Sequence, residues 1–164
     1  MTIIWLGNGI AHELLYQAEQ WTPLETGGVL LGWRSPGHVC VTNIIGPGPA
    51  AHHTGTSFRP DAVWQAEQIA QLYAASGRRL AYLGDWHTHP GATPVPSPRD
   101  VQTLDSIARH PSARCPQPIM IIIGQPHTAQ WVVEAHAIAG NWSSGKKVVC
   151  NLPVKSDPKI ESLI

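Results

Sequence analysis

Apolar residues recur along the chain with two periods, and these periods predict its secondary structure. A helical period marks three segments that have Gly or Pro near their ends: 9–20, 61–75 and 97–110. Short apolar or alternating runs predict strands, at 2–6, 26–33, 38–45, 79–87, 118–124 and 130–138, with a short one at 146–152. Helices interspersed with strands and hairpins predict an α/β (α+β) fold, in which helices flank a mixed central sheet.

The segments between these elements predict one domain. A turn at 35–37 joins two strands into a hairpin, and the stretches 46–58 and 90–98 are rich in Gly and Pro without periodicity, so we expect loops there. No repeat or linker separates two cores. We therefore assign residues 1–152 to the domain and 153–164 to a C-terminal tail, ordered or loose. The second helix is expected to bury its apolar set: Val63, Ile69, Leu72 and Tyr73.

Composition narrows the functional classes. Of 164 residues, 43% are hydrophobic and 13% charged, and 11 basic residues balance 11 acidic ones. This composition excludes a disordered chain and gives no reason to expect a nucleic acid or a membrane as partner. Cys40, Cys115 and Cys150 are widely spaced and odd in number, so we interpret them as reduced thiols. With no signal-peptide pattern, the expected location is cytoplasmic.

The candidate chemistry lies in the segment 84–100. His87 and His89 are two residues apart at the end of a predicted strand, so their side chains share one face. Pro90 ends the strand, and Asp100 in the first turn of the next helix can supply a third ligand. Three protein ligands and one open position are what a catalytic zinc ion requires.

A simpler interpretation covers part of this segment. In Ser97-Pro98-Arg99-Asp100, Ser97 suits the N-cap of a helix and Asp100 its third position, so capping alone explains both residues. The two interpretations are compatible, because a capping hydroxyl accepts a bond through its oxygen and can still donate its own proton.

The spacing also resembles a known family. His87-Thr88-His89-Pro90, six residues and then Ser97 to Asp100 match HxHP-x6-SxxD, the signature of JAMM metalloproteases, the catalytic MPN or JAB domains. Glu25, in LETGGVLLGW at the start of a predicted strand, completes that pattern, which extends from about residue 10 to residue 138. The resemblance implies a JAB/MPN domain of cytidine-deaminase-like fold.

The resemblance also implies a role for each matching residue. His87, His89 and Asp100 would bind one Zn²⁺ per chain. Glu25 would be the general base that takes a proton from the attacking water, and Ser97 would help to stabilise the oxyanion. Without the resemblance, Glu25 would be interpreted as an ordinary solvated carboxylate.

Other residues near the motif leave alternatives open. Asp85 shares the strand face of the two histidines, so it could bond an imidazole, or it could pair with Arg78 or Arg79. Trp86 and Thr88 have the opposite parity, which predicts a core position for the first and packing or hydrogen bonding behind the site for the second. The remaining histidines fall into two groups: His52 and His53 in a loop, bordering a substrate groove or simply exposed, and five without assigned role, His12, His38, His110, His127 and His136.

Two other metal-site patterns fit less well. Asp85 to His89 also matches the DxHxH strand end of amidohydrolases, but those enzymes need a barrel of typically ~250 residues, and only 75 residues follow His89. The HxHxDH motif of metallo-β-lactamases is excluded because Gly91-Ala92 stands in place of Asp-His.

The resemblance implies a substrate class. JAMM enzymes mostly cut after the C-terminal glycine of ubiquitin or a ubiquitin-like protein, free or conjugated. The chain length, GDWHTHP and the GPGP loop resemble stand-alone bacterial versions, encoded beside ubiquitin-activating-like or ubiquitin-conjugating-like enzymes, including in antiphage operons of the CBASS type. Such enzymes would be the partners. The alternatives are a sulfur-carrier peptidase in cysteine or cofactor biosynthesis and an inactive MPN scaffold.

Overall fold

A computed structural model describes residues 1–128, 130–139 and 148–156. Three α-helices are present in this part of the chain: α1 (Ile10–Trp21), α2 (Ala62–Ala75) and α3 (Pro98–Arg109). The strands, in chain order, are β1 (Ile3–Leu6), β2 (Gly27–Ser35), β3 (His38–Ile45), β4 (His52–His53), β5 (Phe58–Arg59), β6 (Ala81–His89), β7 (Ile119–Gly124), β8 (Val132–Ala139), β9 (Val148–Leu152) and β10 (Val154–Ser156).

Eight of the strands form one mixed sheet, in the order β10-β1-β3-β2-β6-β7-β8-β9. β1 runs parallel to β3 and β10, and β6 runs parallel to β7, while the other neighbours are antiparallel. The two outermost strands, β9 and β10, are separated along the chain by Pro153 alone. Since one residue can span only a few ångströms, the sheet curls until its two edges approach each other.

The helices cover both faces of this sheet. On one face α1 buries Ile10, Leu14 and Ala18 in the main core. That core also contains Trp86 of β6, which is 1% exposed, as its parity predicts. On the other face α2 packs against β2 and α3 packs against β7. The predicted fold class, a mixed sheet flanked by helices, is confirmed.

The predicted apolar face of α2 is partly wrong. Ile69 and Leu72 do pack on the sheet, but Val63 and Tyr73 are 72% and 44% exposed. Trp64 takes the place of Val63 against the sheet. The helix begins after Asp61, whose side chain caps it by accepting from the Trp64 N–H, and this start sets which residues face inward.

Short elements occur where the sequence predicts none. The stretch 46–58, expected to be a loop, contains β4 and the first residue of β5, and these two strands pair in an antiparallel two-stranded sheet. Part of the expected tail is ordered, because β10 pairs with β1. Residues 157–164, and the start of the strand expected at 146–152, lie outside the described residues. Within the described chain, no helix combines the length and the apolar character needed to cross a bilayer.

A β-bulge in β6 shapes the face that carries the two histidines. Leu30 pairs with Gly84 and Leu31 pairs with Tyr82, so Leu83 is an extra residue. Strict alternation would place Tyr82 and Asp85 on opposite faces, but the bulge brings both to the face covered by α2 and α3. Gly84 has φ of +141°, and an added Cβ would lie 1.8 Å from the Ile119 carbonyl oxygen of β7.

We expect Gly84→Ala to destabilise the protein by at least about 2 kcal/mol, because an alanine would be strained at this φ and would push β7 away. Chemical denaturation measures the change in the free energy of unfolding. The matched control is Gly55→Ala, since a Cβ at Gly55 meets nothing within 4 Å. The control should change stability by less than about 0.5 kcal/mol, and equal effects of the two substitutions would contradict the steric explanation.

Candidate active site

His87, His89 and Asp100 converge at one end of β6. The Nε2 atoms of the two histidines lie 3.0 Å apart. Asp100 Oδ1 is 3.2 Å from His87 Nε2, and Asp100 Oδ2 is 3.6 Å from His89 Nε2. These residues form a group whose potential ligand atoms all lie within 4.8 Å of one another. Strand parity and the eleven-residue separation of His89 and Asp100 therefore bring together the residues that the sequence predicts.

The spacing fits a metal ion. Two nitrogens that each lie ~2.0–2.1 Å from a tetrahedral zinc ion are about 3.3 Å apart, close to the 3.0 Å between the two imidazoles. The donor set of two imidazoles and one carboxylate suits a catalytic zinc site, which leaves one position for water or substrate. The group thus fits a metal site both in its spacing and in its chemistry.

Asp100 has a second role at the start of α3. The Ser97 N–H donates to Asp100 Oδ2 over 2.7 Å, and the Asp100 N–H donates to Ser97 Oγ over 3.3 Å. These reciprocal bonds form the capping box that the sequence predicts. They orient the carboxylate so that Oδ1 faces His87, so capping and metal binding are compatible at Asp100.

The loop between β6 and α3 is anchored by three strands. His89 Nδ1 lies 3.1 Å from the Thr93 carbonyl oxygen, and His136 Nε2 of β8 lies 2.8 Å from the Pro94 oxygen. The loop also packs against Gly124 of β7, where an added Cβ would lie 2.5 Å from the Pro94 nitrogen. Because a carbonyl oxygen only accepts, Nδ1 of His89 carries its proton and leaves Nε2 free to bind a metal.

Glu25 lies two residues before the first residue of β2, the strand that pairs with β6. Gly27 is opposite His87 in the register, and Thr26 and Thr88 exchange backbone and side-chain hydrogen bonds of 2.9 Å. Thr88 is fully buried, as expected for a residue behind the site. This pairing places Glu25 in the cleft that also contains His87 and Asp100.

The cleft has a volume of 390 Å³ and is bounded by two elements. One wall is residues 56–58, the end of the turn between β4 and β5 and the first residue of β5, and the other is the start of α3, with Ser97, Arg99 and Thr103. Gly27 keeps the space beside His87 free, because a Cβ there would lie 2.9 Å from the His87 Cβ.

The site shifts the pKa of several of its groups. Burial raises the pKa of Glu25 against an opposing effect of His87. Burial and the neighbouring His87 lower the pKa of His89. Burial alone would raise the pKa of Asp100, but hydrogen bonds and attraction from His87 and hydrogen bonds from Ser97 hold it well below its usual range. Asp100 is therefore ionised and His89 neutral near pH 7, the protonation states that bind a metal.

Asp85 has a partner that the sequence interpretation did not consider. Its Oδ1 accepts a 2.8 Å hydrogen bond from the Tyr82 hydroxyl. Among the described residues, neither an imidazole nor an arginine forms a hydrogen bond or an ion pair with Asp85. Burial raises the pKa of Asp85 to about 6, although Tyr82 and His87 act against this. The contact depends on the bulge at Leu83, and a bulge leaves no clear signal in the alternation of a short strand.

Two further histidines, His136 and His53, make contacts near the site. His136, to which the sequence assigned no role, is 3% exposed and bonds the loop before α3. His52 is exposed as one alternative predicted, but His53 is half-buried and contacts the Glu25 carbonyl. Both contacts join residues that are far apart in sequence, so local patterns could not reveal them.

Comparisons with known proteins agree with this geometry. The family model described as prokaryotic homologs of the JAB domain matches residues 8–134. A protein named "Probable metalloprotease y4qB" from Sinorhizobium fredii is 42% identical over 123 residues, covering 74% of this chain and 75% of that protein. A "CD-NTase/cGAS isopeptidase" from Escherichia coli is 30% identical over 112 residues, covering 67% of this chain and 68% of the relative.

The fold also has a close match among solved structures. The solution structure of protein DSY2949 from Desulfitobacterium hafniense superposes with a TM-score of 0.73 at 21% identity, covering 98% of this chain and 97% of that one. This likeness supports the fold, while the family match and the relatives support the chemistry. Together they show that this protein belongs to the prokaryotic JAB-domain family and is a JAMM-type metallopeptidase.

Proposed function

We propose that this protein is a zinc-dependent isopeptidase that cleaves after the C-terminal glycine of a ubiquitin-like protein or its conjugate. It would act in a bacterial antiphage defence system that attaches ubiquitin-like proteins to their targets. The observation that carries this proposal is the convergence of His87, His89 and Asp100 beside Glu25 in one open cleft. The relatives named "CD-NTase/cGAS isopeptidase" support the choice of bond and of cellular system.

Three side chains would hold the metal. Nε2 of His87, Nε2 of His89 and Oδ1 of Asp100 are the atoms directed toward a common point. When bound there, a zinc ion lowers the pKa of coordinated water and polarises the substrate carbonyl. The hydrogen bond between His89 Nδ1 and Thr93 holds this imidazole in the required tautomer.

Glu25 would carry the proton between water and leaving group. Its carboxylate shares the cleft with the ligand group, and burial raises its pKa toward the range in which a general base is effective. A carboxylate in this position takes the proton of the attacking water and then gives it to the departing amine. Protonation of the amine is needed because a lysine or peptide nitrogen leaves poorly as an anion.

Ser97 would stabilise the oxyanion. Its Oγ accepts from the Asp100 N–H at the N-terminus of α3, so the hydroxyl proton remains available to a group in the cleft. The capping box fixes the serine before substrate arrives, and a fixed donor needs no reorganisation during the reaction.

The shape of the cleft supports a slim, extended substrate. A volume of 390 Å³ is at the small end of ligand pockets, which span ~300–1,000 Å³. The walls at residues 56–58 and at α3 bound the cleft that contains the ligand group, and glycine, which has no side chain, needs the least room between them. A small cleft of this kind therefore favours a tail that ends in glycine over one with bulky side chains.

The direct test is cleavage of defined substrates before and after metal removal. A ubiquitin-like domain joined to a lysine side chain through its C-terminal glycine should be cut, with both products visible by mass spectrometry. Chelation should abolish cleavage and added Zn²⁺ should restore it. Cleavage that persists in zinc-free protein would refute the metallopeptidase mechanism. A second substrate is a sulfur-carrier protein with extra residues after its C-terminal glycine. Cleavage of this protein but not of the ubiquitin-like conjugate would favour the biosynthetic role, and zinc binding without cleavage of either substrate would favour a scaffold.

We expect Asp100→Asn to lower zinc affinity by more than about 100-fold, because losing a direct ligand costs more than losing a residue that only orients one. Asparagine can still accept the Ser97 N–H, so α3 should keep its cap. Competition with a chromophoric chelator measures the affinity. Asp61→Asn is the matched control, since Asp61 caps α2. Equal affinities of the two variants would argue against Asp100 as a ligand.

Glu25→Gln should reduce kcat by at least about 100-fold and leave zinc content unchanged, because glutamine keeps the shape of the side chain but cannot take a proton. Cleavage rates and elemental analysis of the purified protein give the two readouts. Glu19→Gln, on the exposed side of α1, is the control. A variant at position 25 that is as active as the wild type would disprove the general-base role.

A further inference from the structure

Both backbone polar groups of Glu25 are bonded to the β4 strand and the residue after it. The Glu25 N–H donates to the Thr54 carbonyl oxygen over 2.8 Å, and His53 Nδ1 lies 2.8 Å from the Glu25 carbonyl oxygen. Since that oxygen can only accept, Nδ1 of His53 carries the proton and donates. The hairpin of β4 and β5, which lies outside the main sheet, thus holds the backbone of Glu25 through two hydrogen bonds.

The imidazole of His53 itself contacts two aromatic rings. It stacks on Trp21, the last residue of α1, with ring centroids 3.5 Å apart and planes at 14°. The Phe58 ring is a second aromatic neighbour, with ring centroids 5.4 Å apart and planes tilted by 35°. Within the described residues, His53 Nε2 is buried and has no hydrogen-bond partner. The opposite tautomer would bury an unsatisfied N–H and leave the Glu25 carbonyl without its donor, so the environment selects the Nδ1–H form.

Glu25 needs such support because it lies outside the sheet. The ladder between β2 and β6 begins at Gly27, and Thr26 is secured through Thr88. Glu25 is the next residue outward, so the sheet does not fix its backbone. Thr54, which is held in the hairpin by its own bond to Ser57, and His53 supply that constraint.

We propose that His53 is a positioning residue for Glu25: its Nδ1–H bond to the Glu25 carbonyl fixes the direction in which the carboxylate enters the cleft. This inference rests on the proposed function of Glu25 as general base. A displacement of about 1 Å at a reacting group can cost about a hundredfold in rate. A loss of this bond should therefore act on kcat while metal binding and substrate affinity stay unchanged.

The tautomer can be tested without any substrate. Two-dimensional ¹⁵N–¹H spectra of the imidazoles report which ring nitrogen carries the proton. We expect the Nδ1–H form at His53 and slow exchange of the Glu25 amide proton. In His53→Phe that exchange should accelerate by at least about fivefold, the effect of losing one hydrogen bond. An Nε2–H form in the wild type, or unchanged exchange in the variant, would overturn the proposal.

The role in catalysis is tested by a matched pair of variants. His53→Phe keeps the ring that stacks on Trp21 but removes the donor. His53→Asn loses the stack but places an amide N–H close to the position of Nδ1. We expect the phenylalanine variant to lose about ten- to a hundredfold in kcat, with KM and zinc content near those of the wild type. The asparagine variant should recover most of the loss, and His52→Phe, at the exposed neighbour, should resemble the wild type.

Two results would overturn the proposal: a phenylalanine variant with the kcat of the wild type, or an asparagine variant as slow as the phenylalanine variant. If His53→Phe does not fold, His53→Gln replaces it, because its amide lies at the position of Nε2 and cannot make the bond. If the wild type cleaves no substrate, the proposed function fails, and the tautomer and amide exchange still decide whether His53 holds Glu25.

Discussion

The arrangement of the site depends on the register between β2 and β6. Gly27 is opposite His87, and the exchanged bonds of Thr26 and Thr88 secure the pairing just beyond it. Because side chains alternate along a strand, a slip of one residue would turn the histidines of β6 toward the core under α1. The burial of Trp86 against α1 opposes such a slip, since the indole would have to leave that core. Core packing and the geometry of the site are thus fixed by the same interaction.

Asp100 joins the stability of α3 to the chemistry of the site. One carboxylate oxygen accepts from the Ser97 N–H, and the other faces His87. An anion at the N-terminus of a helix is stabilised by the unpaired N–H groups there, which favours the ionised form before any metal arrives. As the proposed metal ligand, Asp100 would therefore need no deprotonation and no large movement when a metal binds. The bonds between Ser97 and Asp100 thus cap α3 and also orient the Asp100 carboxylate toward His87.

Much of this could be predicted from sequence, and the remainder has a common physical reason. Periodicity located the three helices and most of the strands, and alternation put His87 and His89 on one face. The Tyr82–Asp85 bond required a bulge, which alternation does not predict. His53 and His136 make contacts across 28 and 42 positions of the chain. Such contacts depend on how elements pack, so a single sequence contains no local pattern for them.

The one-residue connection between β9 and β10 affects how the edges of the sheet are protected against association with other chains. The segment 148–156 covers the free sides of β8 and of β1, so the two margins of the large sheet are protected by neighbouring stretches of one peptide. Unpaired strand margins attract other chains, and proteins normally shield each one separately. Here a proteolytic cut near Pro153 would separate β10 from the rest of the chain, so that the edge of β1 loses its neighbour when β10 dissociates, while β9 stays covalently attached beside β8. Residues 154–156 do not line the cleft that contains Glu25, so such damage should appear first as self-association rather than as lost turnover.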